Sequence, residues 1–265
     1  MTQPAPPHLD AALQERIHQL WDEVSAFEAS EWDAARIHLL ESVARMVEAE
    51  NAYWVGAVRV TEDPQDSLLG WRPRLIQYLR PLPNDDGFTQ QRLRDLARGR
   101  IDALPVAHAQ RAGTFRANRM CDLVPADWFH GDTYKDYLGR GIHDSLVVVA
   151  PITPMAEAYY GFLRMRADDP FTNAQRDIAW YAMRGLTWFH RQVLLAHGLL
   201  VARTPLSPME RRVAALLLTD RSEKLMAAEL GIAASTLHGY VGDVLRKFGV
   251  SGRNGLIALW LGRQG

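Results

Sequence analysis

From Leu206 onward the chain is punctuated by helix start and stop signals at spacings that few folds accommodate. In Ser207-Pro208-Met209-Glu210 a hydroxyl stands three residues before a carboxylate, with proline at the first helical position. Ser and Glu at that spacing reciprocally satisfy backbone donors at a helix start, and proline there loses no hydrogen bond. Ser222 opens a second helix, and Gly231 supplies a turn. Ser235-Thr236 opens a third helix running to Phe248, which Gly249 stops. Two short helices joined by a glycine turn read as a helix-turn-helix, so duplex DNA is the expected partner. The charge balance agrees. The 265 residues carry a net charge of -1, which excludes a basic nucleic-acid coat, yet from residue 204 onward eight basic side chains face five acidic ones. That is the pattern of a localised DNA footprint.

The order LSPMERRVAALLL followed by MAAELGIAASTLHGYVGDVLRKFGV resembles the LuxR-type four-helix DNA-binding domain of bacterial transcription regulators, over residues 206 to 262. Its signature positions stand here as Leu206, Glu210, Val213, Ala227, Leu230, Gly231, Thr236, Val241, Leu245, Lys247, Gly249 and Val250. The resemblance implies that the helix of residues 235 to 248 enters the major groove. It also implies a homodimer, supported by a last helix over 252 to 262 through Leu256, Leu259 and Trp260, with RNA polymerase as a further partner. In that register Thr236, His238, Gly239, Gly242 and Asp243 lie at the groove and carry base readout. Arg246 and Lys247 are the expected phosphate contacts, with Arg221, Lys224 and Arg253 as outer ones; such contacts position without specifying. His238 stands where the family has a basic residue. Gly239 and Gly242 each cost about 1 kcal/mol against Ala inside a helix. Either they admit close backbone approach to the groove wall, or the helix is poorly formed.

The preceding residues divide into a Pro-rich, disordered stretch 1–8, a sensor and dimerisation domain 9–202, and the DNA-binding domain 203–265 entered through the linker Arg203-Thr204-Pro205. Apolar residues at helical spacing define helices over 9–27 and 31–50, the second capped by Ser30 with Asp33. Alternating β-branched and aromatic residues then predict a strand over 52–60 and a weaker one over 75–79. A short helix is expected over 89–98, followed by an irregular segment over 102–141. Asp144–Ile152 and Ala158–Met165 read as paired strands of a hairpin. Thr172 with Gln175 caps one long helix reaching Leu200. Helices around a small antiparallel sheet make an α+β module. Residues 145 to 186 resemble the second half of GAF-type sensor domains, with Pro151, Gly161, Pro170, Phe171 and Thr172 at the matching places. A PAS-type fold is the nearest alternative. An acyl-homoserine-lactone sensor shares the layout, but Trp71 and Tyr78 are spaced more widely than in its aromatic cluster, and no Asp-Pro follows.

No enzyme is expected. His143, Asp144 and Ser145 are neighbours on a strand, where successive side chains point to opposite faces and cannot form a catalytic relay. No three metal ligands converge, the single Cys121 permits no disulfide within one chain, and no cofactor is implied. The sequence shows neither an apolar run long enough to span a membrane nor a signal-peptide pattern, so a cytoplasmic protein with no membrane partner is expected. Aromatic residues interleaved with polar ones instead predict a small-molecule pocket between the sheet and residues 102 to 141. Trp54, Trp71, Tyr78, Trp128, Tyr134 and Tyr159 are its expected lining, and a small aromatic or acyl compound is the ligand. The alternative is a ligand-independent regulator, controlled by a docked protein partner or by its own expression level.

Overall fold

A computed structural model describes residues 9–98, 102–167, 169–200 and 205–262, which fold as two compact units. One unit runs to Val24 and continues over Ile37–Thr187; the other comprises Ser25–Arg36 and the chain from Trp188 onward. The expected disordered stretch 1–8 and, except for Pro205, the expected linker lie outside the described residues. No described helix is long and apolar enough to cross a membrane.

The first unit is built on five antiparallel strands: β1 (Asn51–Arg59), β2 (Trp71–Tyr78), β3 (Arg116–Arg119), β4 (Asp144–Thr153) and β5 (Ala156–Arg164), in the order β2-β1-β5-β4-β3. The antiparallel sheet flanked by helices is the fold class expected. β4 and β5 pair as a hairpin over almost their whole length, with Val148 opposite Tyr160 and Tyr160 opposite Trp54 on β1. β2 is an edge strand, and Arg74 is an extra residue in its ladder where Gly56 pairs with Leu75 but Ala57 with Pro73. A bulge at an edge is where a strand tolerates proline. β3 was not expected from the sequence. Its Arg-Ala-Asn-Arg has no apolar alternation, and only pairing with β4 makes it a strand.

Helices α1 (Ala11–Ser25) and α2 (Trp32–Met46) precede the sheet, α3 (Phe88–Ala97), α4 (Ala103–Ala109) and α5 (Asp132–Leu138) interrupt it, and α6 (Asn173–Arg184) follows it. The segment 102–141 is therefore less irregular than its composition suggests. α2 begins later than the Ser30–Asp33 cap implies, and Asp33 pairs with Arg36. α6 starts with the expected capping box, Thr172 with Gln175, but ends at Gly185. The single helix expected over 172–200 is thus two, the second being α7 (Thr187–Ala196). The reason is steric. Trp21, whose indole N–H donates to Ala182 O at 2.7 Å, lies so close that a Cβ on residue 185 would sit 2.7 Å from its ring. Glycine is required there, and glycine is a weak helix former.

The second unit contains α7, α8 (Pro208–Leu217), α9 (Glu223–Leu230), α10 (Ala234–Phe248) and α11 (Arg253–Trp260). Leu237, Val241, Val244 and Phe248 recur along one side of α10 and pack with Val213, Leu217, Met226, Leu256 and Trp260 into one core, which also includes Leu195 and Trp32. The Ser207–Glu210 capping box forms as expected. α10 begins at Ala234 rather than at Ser235-Thr236, behind an Ala233 cap position that makes no side-chain bond.

Candidate functional site

Alternation along the strands creates a lined cavity on one face of the sheet. Tyr53, Val55 and Ala57 of β1 point to the same side as Tyr159 and Leu163 of β5 and Ser145 and Val147 of β4, and α3, α4 and Tyr137 of α5 cover them. The cavity has a volume of about 160 Å³. Gly161 makes this arrangement possible. A Cβ there would lie 2.1 Å from the Tyr53 ring, so only glycine lets that ring cross β5 into the cavity wall. Burial pushes the Tyr53, Tyr78, Tyr137 and Tyr159 phenols above the ordinary tyrosine range, so all four stay protonated at neutral pH.

Two ion pairs brace the wall, one half-buried and one buried. Arg92 of α3 meets Asp102 at 2.5 Å and donates to the Tyr137 hydroxyl at 3.2 Å, while Asp102 also caps α4 through Leu104 N. Arg116 of β3 forms two hydrogen bonds to Glu157 of β5, at 3.0 and 2.9 Å, and the Tyr159 hydroxyl donates to the same carboxylate at 2.8 Å. Glu157 is wholly buried and also accepts from Gly113 N, so its charge is matched by several donors, as a buried carboxylate requires. Removing Arg116 alone would leave that charge uncompensated.

Of the residues expected to bind a ligand, Trp71, Tyr78 and Tyr159 line the cavity. The other three do not. Trp54 neighbours Tyr53 on β1 and therefore points to the opposite face, where it is fully buried. Trp128 and Tyr134 pack one layer behind the wall, their ring centroids 5.6 Å apart and Trp128 6.1 Å from Tyr137. The expected lining left out Tyr53, Arg92, His108 and Tyr137. For Tyr53 the strand period was a usable signal; for the others only the packing of α3, α4 and α5 reveals the placement. Of the residues weighed for a relay, Ser145 faces the cavity, whereas Asp144 accepts from Phe171 N at 2.8 Å.

In the second unit the exposed side of α10 carries Ser235, Thr236, His238, Gly239, Gly242 and Arg246. The helix runs unbroken through both glycines, and a Cβ at either would meet nothing within 4 Å. Residues 204–260 match the family described as "Bacterial regulatory proteins, luxR family". They form a LuxR-type helix-turn-helix domain. No curated protein matches the chain. The solved structure titled "SdiA in complex with octanoyl-rac-glycerol" is similar over 98% of both chains, at 14% identity and a TM-score of 0.50, a likeness of fold. Also similar are Escherichia coli SdiA in the space group P6522 (14% identity, 94% of this chain and 97% of that one, TM-score 0.47) and the N-acylhomoserine lactone dependent LuxR family factor CepR2 from Burkholderia cenocepacia (14% identity, 67% and 96%, TM-score 0.43).

The basic residues of the LuxR-type domain divide by what they touch. Lys247 reaches back to the capping-box carboxylate of Glu210 at 2.8 Å. Burial acts to raise the Glu210 pKa, yet Lys247 and Ser207 together hold it below its ordinary value. Arg253 donates to the carbonyls of Leu217 (2.8 Å), Leu216 (3.2 Å), Arg221 (2.7 Å) and Thr219, tying α11 to the end of α8. Both were expected at phosphates; both are placed as internal ties. Arg246 pairs with Asp243 and Arg221 with Glu229 on the surface, and His238 lies 3.2 Å from Glu223. Lys224 is exposed and has no ion pair among the described residues.

Proposed function

We propose that this chain is a transcription regulator that reads duplex DNA with α10 and responds to a small apolar molecule held in the cavity of the sheet unit. The reading rests on one observation: a LuxR-type domain with an exposed, side-chain-poor helix face occurs in the same chain as a sheet whose one face is hollowed and lined by rings. Thr236, His238, Gly239, Gly242 and Asp243 read bases, the two glycines allowing backbone to approach the groove wall. Arg246, Lys224 and Arg221 contact phosphates, and exchange of the surface carboxylates now paired with Arg246 and Arg221 for phosphate is inexpensive because exposed pairs contribute little. Lys247 and Arg253 act mainly by holding the domain's shape. A ligand shifts this activity only if it binds two arrangements of the protein with different affinity.

The protein works as a homodimer, with half-sites about one helical turn apart. The test is selection of duplexes from a random pool by the full-length protein, followed by fluorescence anisotropy across a salt series. Affinity should fall linearly in log-log form as counterions are released. Footprinting should protect two half-sites. Absence of any duplex binding at low salt would remove the reading.

A further inference from the structure

Most polar groups around the cavity already have partners. Arg72 pairs with Asp66 at 2.8 Å, Arg92 with Asp102, and the Tyr159 hydroxyl with Glu157. His108 differs. It lines the cavity with only 8% of its surface exposed, and its buried Nδ1 has no hydrogen-bond partner. An unmatched polar group at such depth is destabilising, and native proteins keep few of them without a use. The ring cannot easily swing away. Arg116, itself locked to Glu157, donates to His108 O at 3.1 Å, and the imidazole stands edge-on to Tyr159 with centroids 5.6 Å apart.

The surroundings also define its chemistry. Burial, and then the charges of Arg116 and Arg111, push the His108 pKa down to about 3. The imidazole is therefore neutral under physiological conditions and offers one donor and one acceptor. Around it the wall is apolar, formed by Leu68, Trp71, Leu96 and Leu104, and no Asp or Glu is among the lining residues. A cationic group entering here would find no carboxylate on the wall to pair with, and burying an isolated charge is expensive. An anion would find Arg72 and Arg92 already paired. A space of about 160 Å³ compares with a protein cavity that takes up benzene.

We propose that His108 is the polar anchor of the cavity and that it selects a small molecule with an apolar ring or short chain carrying an uncharged oxygen group, a hydroxyl or carbonyl, rather than an ammonium. This rests on the reading of the cavity as a ligand site. In one tautomer the nitrogen that faces the ligand donates to its oxygen; in the other it accepts from a hydroxyl.

The test compares hexan-1-ol with hexylamine on the full-length chain, by titration calorimetry and ligand-detected NMR, for wild type, His108→Phe and His108→Gln. Hexan-1-ol should bind wild type, with hexylamine at least tenfold weaker. His108→Phe should weaken hexan-1-ol about tenfold while the ligand-free protein becomes no less stable to urea. His108→Gln, which keeps a donor and an acceptor, should retain most of the affinity. If neither compound binds wild type, the ligand-site reading itself fails. Equal hexan-1-ol affinity in wild type and His108→Phe overturns the anchor alone, and hexylamine binding as tightly as hexan-1-ol overturns the head-group selection. If His108→Phe does not fold, the wild-type ring decides: no change in the His108 ring nitrogen resonances on adding hexan-1-ol would overturn the anchor as well.

Discussion

Replacing Gly161 by alanine tests whether the cavity wall is built as described. The new methyl group would lie 2.1 Å from Cε1 and Cζ of Tyr53, whereas carbon atoms settle at about 3.5–4.0 Å. The ring must therefore move by about 1.4 Å. It is half-buried and packs on Tyr78, with centroids 5.5 Å apart, so the free direction is into the cavity. Overpacking of this kind costs about 1–3 kcal/mol. Against it stands the gain of about 0.5–1 kcal/mol from removing a strand glycine. The clash wins, and Gly161→Ala should destabilise the sheet unit by about 1–2 kcal/mol and reduce ligand uptake. The decisive assay is a double-mutant cycle by urea unfolding. In a Tyr53→Ala background the clash is gone, so Gly161→Ala should be neutral or slightly stabilising there. The coupling between the two positions should then exceed about 1 kcal/mol. An equal cost for Gly161→Ala in both backgrounds would refute the reasoning, because the strain would not come from Tyr53.

Acid should weaken the fold early. His108 and His197 both have pKa values lowered to about 3, chiefly by burial. The unfolded chain therefore binds two more protons between pH 6.5 and 3, and stability falls as pH drops through that window. The two together account for about 2–3 kcal/mol between pH 7.5 and 5.5; a urea midpoint that does not fall, or that His108→Phe leaves equally pH-sensitive, contradicts this. Lys247→Met should lower the stability of the LuxR-type domain by about 1–3 kcal/mol, because it leaves the buried Glu210 carboxylate without its cation, whereas Arg246→Ala should leave melting unchanged and weaken all duplexes alike. Arg253→Ala, which frees four carbonyls at the end of α8, should destabilise the domain more than Arg246→Ala does; equal melting temperatures would show that its hydrogen bonds are dispensable.

Local signals in the sequence determined what depends on neighbouring residues. The Ser207–Glu210 and Thr172–Gln175 capping boxes, the left-handed Gly231 and Gly249 at helix ends, and the β4–β5 hairpin involve groups a few positions apart, so spacing alone is enough to specify them. The LuxR-type domain was legible for that reason. The cavity was not. Both faces of β1 are apolar, Tyr53 and Ala57 on one and Ala52 and Trp54 on the other, so alternation names two faces without saying which is hollow. That was decided by α3, α4 and α5, which bring Arg92, His108 and Tyr137 over one face only, and by Gly161, whose missing side chain matters solely because Tyr53 lies opposite it. The partners of charged groups were decided in the same way. Lys247 and Arg253 read from sequence as phosphate contacts, and folding also sets them against Glu210 and the end of α8, 37 and 36 residues away in sequence. Hydrogen-bond partners at such separations are products of packing, and no local pattern encodes them.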